Sequence, residues 1–315
     1  MAYFVEKVIK IKRTRPSDAS HFAIKKGGKL RYLIDLKNQR LGIEKISKNL
    51  SAYSKKLDVL TRLIRIVPLR VLNLLEIGEF VICEIDPQIL GEINSVWKKA
   101  QLKGGEIPSW NIIVGSYVEK QKIVFQCFST ESSIDMFVKV GGERSNNEMD
   151  NEILYLTNPI LDESFINPKL VYSSQINSTW RVMVTEEFEG KKVSPTMTNE
   201  RYDIYSAICQ RRKYDSKGNI LFFSHGDFTP WNIKKTDNSY VVFDWEYSAF
   251  RFYGFDILHF FWQIENKLNK KDVEQSMISA VKKAKEWDPA LRKYTDEYLS
   301  KAYLDELHKQ FGDIL

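Results

Sequence analysis

Hydrophobic and polar residues change their period several times along this chain, and each change predicts an element. Over residues 1–40 short apolar runs alternate with basic residues, as in Val8-Ile9-Lys10-Ile11-Lys12 and Leu30-Arg31-Tyr32-Leu33-Ile34. That alternation, with a turn at Gly27-Gly28, predicts two or three short strands. From residue 43 the period lengthens. Ile43, Ile46, Leu50, Tyr53, Leu57, Leu60, Ile64 and Val67 recur at intervals of three and four, which puts them on one stripe of a helix. Lys45, Lys48, Lys55, Lys56, Arg62 and Arg65 occupy its other faces, and Pro68 should end or kink it. An apolar stretch over 69–75 follows, closed by Gly78. A strand over 80–85 and a helix over about 87–102 come next, and Gly104-Gly105 with Pro108 suggests a boundary.

Beyond that boundary the pattern predicts strands over 110–118, 122–128 and 136–140, a helix over 146–157, and a hairpin from strands 169–176 and 180–188. A helix is expected over 198–215, then two short aromatic and β-branched strands over 221–223 and 240–243. Gly254 opens another helix, and residues 265–315 read as helical, charged and aromatic, with Trp287, Tyr294 and Tyr298.

Length and composition narrow the class. The 315 residues suit one large or two ordinary domains, and 43% hydrophobic with 13% aromatic content supports a substantial core. The N-terminus lacks the long apolar region of a cleaved signal peptide, and no apolar run approaches the length that spans a bilayer. Cys83, Cys127 and Cys209 are odd in number and widely spaced, which fits buried thiols in a reducing cytosol rather than a disulfide or zinc framework. The net charge of +6 is uneven: residues 1–75 hold 18 basic and 5 acidic side chains. A basic first segment therefore precedes a mildly acidic body, which suggests a separate surface role for it. A basic amphipathic helix over 43–75 could lie on the inner face of an anionic membrane, or pack on the protein's own body with its lysines solvated. No nucleic-acid reading motif is present.

Candidate chemistry concentrates in residues 221–248, LFFSHGDFTPWNIKKTDNSYVVFDWEYS. The first strand leads to His225-Gly226-Asp227, Asn232 follows five residues after the aspartate, and Asp244 ends the second strand. Phosphoryl transfer from ATP needs a carboxylate that orients and deprotonates a hydroxyl, and oxygen ligands that hold Mg²⁺ against the phosphates. An Asp, an Asn five residues on, and an Asp on the next strand make up that arrangement in kinases. Asp227 is then the base, and Asn232 and Asp244 are the metal ligands.

HGDFTPWN followed by VVFDWEYS resembles the signature of the aminoglycoside phosphotransferase and choline kinase family. The departure is Thr229-Pro230-Trp231, where many members have a His and a small residue. The resemblance covers about residues 105–315 and implies an α+β, bilobal protein-kinase-like fold: a small antiparallel-sheet N-lobe over 105–190 with its hinge, and a mainly helical C-lobe over 191–315. Residues 1–104 lie outside it as a basic N-terminal extension. The resemblance implies further roles. A phosphate-covering loop falls at the first hairpin, near Gly115 and Ser116, without the full glycine pattern. Lys139, which interrupts an apolar run, matches the lysine that pairs with donor phosphates. Glu152 matches its helical partner and is favoured over Glu148, one turn earlier. The segment ending at Thr185-Glu186-Glu187 matches the adenine-binding hinge, where the contacting residue cannot be read from side-chain types. His225 should buttress the catalytic loop, and Asp256 either supports that loop or is an ordinary helix-start aspartate. His21, His259 and His308 are too scattered to suggest a metal site.

The expected activity is an ATP- and Mg²⁺-dependent phosphotransferase acting on a hydroxyl of a small molecule, sugar or glycan, with bacterial surface polysaccharide metabolism as a fold-level analogy. An antibiotic kinase is less favoured, because residues 265–315 are not conspicuously acidic and a cationic drug would call for carboxylates. The rival from another class is a catalytically silent adaptor that docks a membrane or an acidic partner through its basic first segment. The expected location is cytoplasmic.

Overall fold

The structure, a computed structural model, describes residues 4–26, 28–49, 66–100, 109–115, 120–130, 135–159, 165–188 and 190–311. These residues divide into two compact units. One comprises residues 1–149 and 169–187, the other 150–168 and 188–315.

The first unit is built on an antiparallel sheet of nine strands: β1 (Ile9–Arg13), β2 (His21–Lys26), β3 (Lys29–Asp35), β4 (Gly78–Ile85), β5 (Ser109–Val114), β6 (Lys122–Phe128), β7 (Met136–Gly141), β9 (Leu170–Gln175) and β10 (Arg181–Glu186). β8 belongs to the second unit. The order across the sheet is β1-β4-β2-β3-β5-β6-β7-β10-β9. Neighbouring residues face opposite sides, as the two-residue strand period requires. Ala23, Leu33 and Val81 point into one core, while Phe22, Ile34 and Phe80 point into another. The first core takes Ile89, Ile93, Val96 and Trp97 from the helix Pro87–Ala100. That helix starts where its sequence dictates: Pro87 stands in the first turn and the Asp86 carboxylate accepts from the Gln88 N–H at 2.9 Å. The second core takes Ile46 from the helix Gln39–Asn49, and Leu69 and Leu72 from the short helix Leu69–Leu74.

Two expectations are corrected here. The boundary near residue 104 does not divide the sheet, because β3 pairs with β5 through Tyr32↔Ile113 and Leu33↔Ile112. Residues 9–85 therefore lie in the same sheet as residues 109–186. The helical stripe expected over 43–67 is described only at its ends. Ile43 and Ile46 at its start pack against the second core, as do Leu69 and Leu72 beyond it, so these positions are not available to a membrane. Leu50, Tyr53, Leu57, Leu60 and Ile64 lie outside the described residues. Among the described residues no helix is long and apolar enough to cross a membrane.

The second unit is mainly helical. It holds the small sheets β11-β14-β15-β8 and β12-β13-β16, with β8 Phe165–Ile166, β11 Lys191–Lys192, β12 Arg212–Tyr214, β13 Ile220–Ser224, β14 Ile233–Lys235, β15 Tyr240–Val242 and β16 Ala249–Arg251. The helix expected over 198–215 ends at Ile208, and Arg212–Tyr214 instead pairs with β13. A turn explains this. Asp215 Oδ1 accepts from the N–H groups of Lys217 and Asn219 at 2.8 Å each, and Gly218 takes φ +80°, so the chain reverses into a hairpin. Helices Phe255–Gln263, Val273–Trp287 and Asp296–Phe311 complete the unit, with Phe255, Phe260, Met277, Val281, Leu299 and Tyr303 in its interior. The three cysteines are free, and burial pushes the Cys83 thiol up to about 12 and that of Cys127 higher still.

Candidate active site

The second unit gathers the motif residues through a short series of hydrogen bonds. β13 ends at Ser224, and the chain turns sharply through His225-Gly226-Asp227 with Gly226 at φ +85°. Asp256, fully buried at the start of the helix Phe255–Gln263, secures this turn. Its Oδ1 accepts from the Ser224 hydroxyl at 2.7 Å and the Gly226 N–H at 3.0 Å, and its Oδ2 accepts from the His225 N–H at 2.7 Å. A buried carboxylate with three donors is compensated for its lost hydration.

His225 is buried, and burial holds its pKa below the usual imidazole range. The neutral ring has one consistent tautomer. Nδ1 accepts from the Asp227 N–H at 3.2 Å, and Nε2–H donates to the Phe243 carbonyl at 3.0 Å. The imidazole thus ties the Asp227 turn to the residue before Asp244.

Asn232 forms a second tie. Its side-chain N–H groups donate to the Asp227 carbonyl and to Asp227 Oδ2, each at 2.9 Å. β14 pairs with β15 in the register Ile233↔Val242, and the Phe243 N–H donates to the Asn232 carbonyl at 3.1 Å. Register alone therefore sets Asn232 opposite the residue that precedes Asp244. Asp244 has left-handed backbone at φ +70°, a conformation Asp tolerates better than most residues and one that collects at functional sites.

Glu152 joins this group. Its neighbour Asn151 donates to the carbonyls of Glu246 and Ser248 at 3.1 and 2.8 Å, which docks the helix Asn146–Thr157 beside Asp244. The carboxylates of Glu152, Asp244 and Glu246 each offer an oxygen within 4.8 Å of the others. Hard oxygen donors of this kind, with the Asn232 amide, suit Mg²⁺ rather than a softer metal.

The remaining sequence candidates lie in the first unit. Lys139 sits in β7 opposite Val124 and Met183. Glu148, the competitor of Glu152, pairs with Lys120 at 2.5 Å. Gly115 closes the β5–β6 hairpin, its N–H donating to the Lys122 carbonyl at 3.1 Å and its carbonyl accepting from Arg31 at 3.1 Å. Ser116 lies outside the described residues. The Glu187 carboxylate pairs with Lys45 at 2.8 Å, and its backbone N–H donates to the Asp135 carbonyl at 2.7 Å. Its N–H is thus already engaged.

Sequence reasoning set His259 aside. In the structure its Nε2 lies 2.9 Å from Asp227 Oδ1, so Asn232 and His259 hold one carboxylate oxygen each. The available signal was spacing: Asp256 and His259 stand three residues apart and share a helix face.

The family model for choline/ethanolamine kinases matches residues 158–311, just under half of the chain. The match takes in His225, Asp227, Asn232, Asp244, Asp256 and His259, and leaves Lys139 and Glu152 outside it. None of the curated proteins matches the chain. Among solved structures, a thermostable mutant of aminoglycoside phosphotransferase APH(4)-Ia in ternary complex with AMP-PNP and hygromycin B is 11% identical. The alignment covers 70% of this chain and 92% of that one, with a TM-score of 0.43. Amicoumacin kinase hAmiN in complex with AMP-PNP, Ca²⁺ and Ami is 12% identical over 56% of this chain and 72% of that one, with a TM-score of 0.35. Both TM-scores fall below 0.5, so the assignment rests on the family match. The fold is α+β, and the family match is to kinases that phosphorylate the hydroxyl of a small molecule.

Proposed function

We propose that Asp227 orients and deprotonates the acceptor hydroxyl, with Asn232 and Asp244 holding Mg²⁺. One observation carries this reading: both oxygens of a partly exposed carboxylate are pinned by donors from opposite sides, Asn232 Nδ2 at 2.9 Å and His259 Nε2 at 2.9 Å. Each oxygen keeps a lone pair for the incoming hydroxyl, and the carboxylate cannot rotate away from it. In this reading the Asn232 amide, with its nitrogen engaged on Asp227, keeps its oxygen for the metal. Bound Mg²⁺ supplies positive charge for the phosphates of the donor. On the donor side the reading follows the sequence resemblance, with Lys139 as the phosphate lysine and Glu152 as its partner. The grouping of Glu152 with Asp244 and Glu246 gives Glu152 a second use, as support for the metal.

The acceptor is a small molecule bearing a hydroxyl. The family points first to amino alcohols such as choline and ethanolamine, while the sequence reading points to sugars and glycans. ATP consumption across amino alcohols, sugars, nucleosides and aminoglycosides separates these. Asp227→Asn is expected to lower turnover of the accepted compound at least about a hundredfold, the scale of a lost general base. Undiminished turnover in that variant would overturn the assignment. Asp244→Ala should abolish Mg²⁺-dependent thermal stabilisation by ATP, whereas a catalytically silent adaptor would show no such stabilisation in the native chain.

A further inference from the structure

We infer that His259 is a positioning residue for Asp227, locked in a single tautomer by Tyr303. The inference rests on the reading of Asp227 as the base. His259 and Tyr303 are both fully buried, on the helices Phe255–Gln263 and Asp296–Phe311. The Tyr303 hydroxyl lies 2.8 Å from His259 Nδ1. Burial, and then the charges of Asp227 and Asp256, push the Tyr303 phenol well above its ordinary range, so it stays an O–H donor. With Tyr303 donating to Nδ1, the proton of a neutral ring must sit on Nε2, and that N–H donates to Asp227 Oδ1 at 2.9 Å.

Gln263 is compatible with this assignment once its amide is oriented to suit it. Its Nε2 stands 3.2 Å from His259 Nε2, and its own Oε1 is buried with no hydrogen-bond partner. Two N–H groups cannot face one another productively. Exchanging the amide's oxygen and nitrogen brings the oxygen to the imidazole N–H. The ring also stacks on Phe255, at a centroid distance of 5.8 Å and an interplanar angle of 14°, which fixes its plane.

A neutral donor has a chemical purpose here. A Lys or Arg in the same place would fix the carboxylate equally well, but its charge would draw down the carboxylate's proton affinity and weaken the base. An imidazole N–H steers the oxygen without that loss. Asp256 and His259 thereby divide one helix face, the first holding the backbone of the turn and the second the reacting side chain.

The test is kinetic, with the acceptor found in the panel above, or with water as acceptor if ATP hydrolysis is the only turnover. His259→Leu should lower kcat about 30- to 100-fold, with KM for ATP and thermal stabilisation by ATP and Mg²⁺ retained. His259→Gln, which can offer an amide N–H in place of Nε2–H, should recover kcat to within about fivefold of the native value. Tyr303→Phe should cost about three- to tenfold, the loss of one orienting hydrogen bond. If His259→Leu shows no cooperative melt, the Gln and Phe variants decide. Native kcat in Tyr303→Phe, or no recovery in a folded His259→Gln, overturns the proposal. A dead Asp227→Asn alongside a fully active His259→Leu removes His259 alone, while an active Asp227→Asn removes the base assignment itself. ¹⁵N spectra of histidine-labelled protein give a readout free of any acceptor. They should show His259 with a bare Nδ1 and a protonated Nε2, and a doubly protonated ring would contradict the tautomer lock.

Discussion

Gly226 stands between His225 and Asp227 at φ +85°, and a Cβ there would lie 2.1 Å from the Tyr247 carbonyl oxygen. Both the backbone angle and the space require glycine, which explains why the motif reads His-Gly-Asp. Gly226→Ala should destabilise the fold by about 1–3 kcal/mol, the scale of a strained backbone position, and should lower turnover further by displacing Asp227. Denaturant unfolding and kcat measured on the same sample check both effects, and an unchanged midpoint with native kcat would contradict the geometry. His259 shows the opposite kind of residue, for which the only sequence signal was its three-residue spacing from Asp256. Nothing in the local sequence says that the helix after Gly254 passes under the catalytic turn, and the scattered His21, His259 and His308 gave no metal pattern that would single it out. The motif residues were legible because register and turn geometry bind them within one short stretch of chain, from Ser224 to Asp244.

At the scale of elements, the join between helices Phe255–Gln263 and Val273–Trp287 is held by Glu265. Its side chain is 1% exposed and accepts from Lys271 at 2.7 Å, from Lys283 and from Asn269 at 3.1 Å. Burial alone would raise its pKa. The lysine and asparagine donors outweigh burial and hold it at about 2, against an ordinary carboxylate near 4.5. A depressed folded-state value means that the stabilisation is present above about pH 4.5 and is lost as pH falls toward 2. The shift corresponds to about 3 kcal/mol as an upper figure. Native protein should therefore lose unfolding free energy between pH 5 and 2.5 more steeply than Glu265→Gln, and parallel curves would show that the ion cluster contributes nothing. The sequence could not announce this cluster, since Glu265, Lys271 and Lys283 look like ordinary solvated charges until the helices fold back. Most elements were legible all the same. Strand Lys122–Phe128 and helix Asn146–Thr157 appear where the hydrophobic period put them. The helix expected over 198–215 ends at Ile208, because the Asp215–Gly218 turn reverses the chain and makes Arg212–Tyr214 a strand.

At the scale of the whole molecule, the question is what the basic first segment contributes. Its 18 basic and 5 acidic residues over 1–75 suggested a detachable surface module. Many of the described apolar residues of that stretch lie in the interior of the first unit instead. Val5, Val8, Ile9, Ala23, Leu30 and Leu33 belong to the core that also holds Ile112, Phe125 and Val138, and β3 bridges β2 to β5. Lys45 reaches Asp135 and Glu187, and these two carboxylates keep its ammonium charged against its burial. Removing residues 1–75 would strip β4 of both its partners, leave β5 with one open edge, expose the apolar face of both cores, and leave Asp135 and Glu187 half-buried without their cation. A chain beginning at residue 76 should therefore be insoluble, or should unfold without a cooperative transition. If the shortened chain instead melts cooperatively and keeps its full thermal response to ATP and Mg²⁺, the sheet must reclose from β4 to β5 without the first three strands. In that case the segment is an appendage to the kinase rather than part of it, and its charge would regain significance as a docking surface.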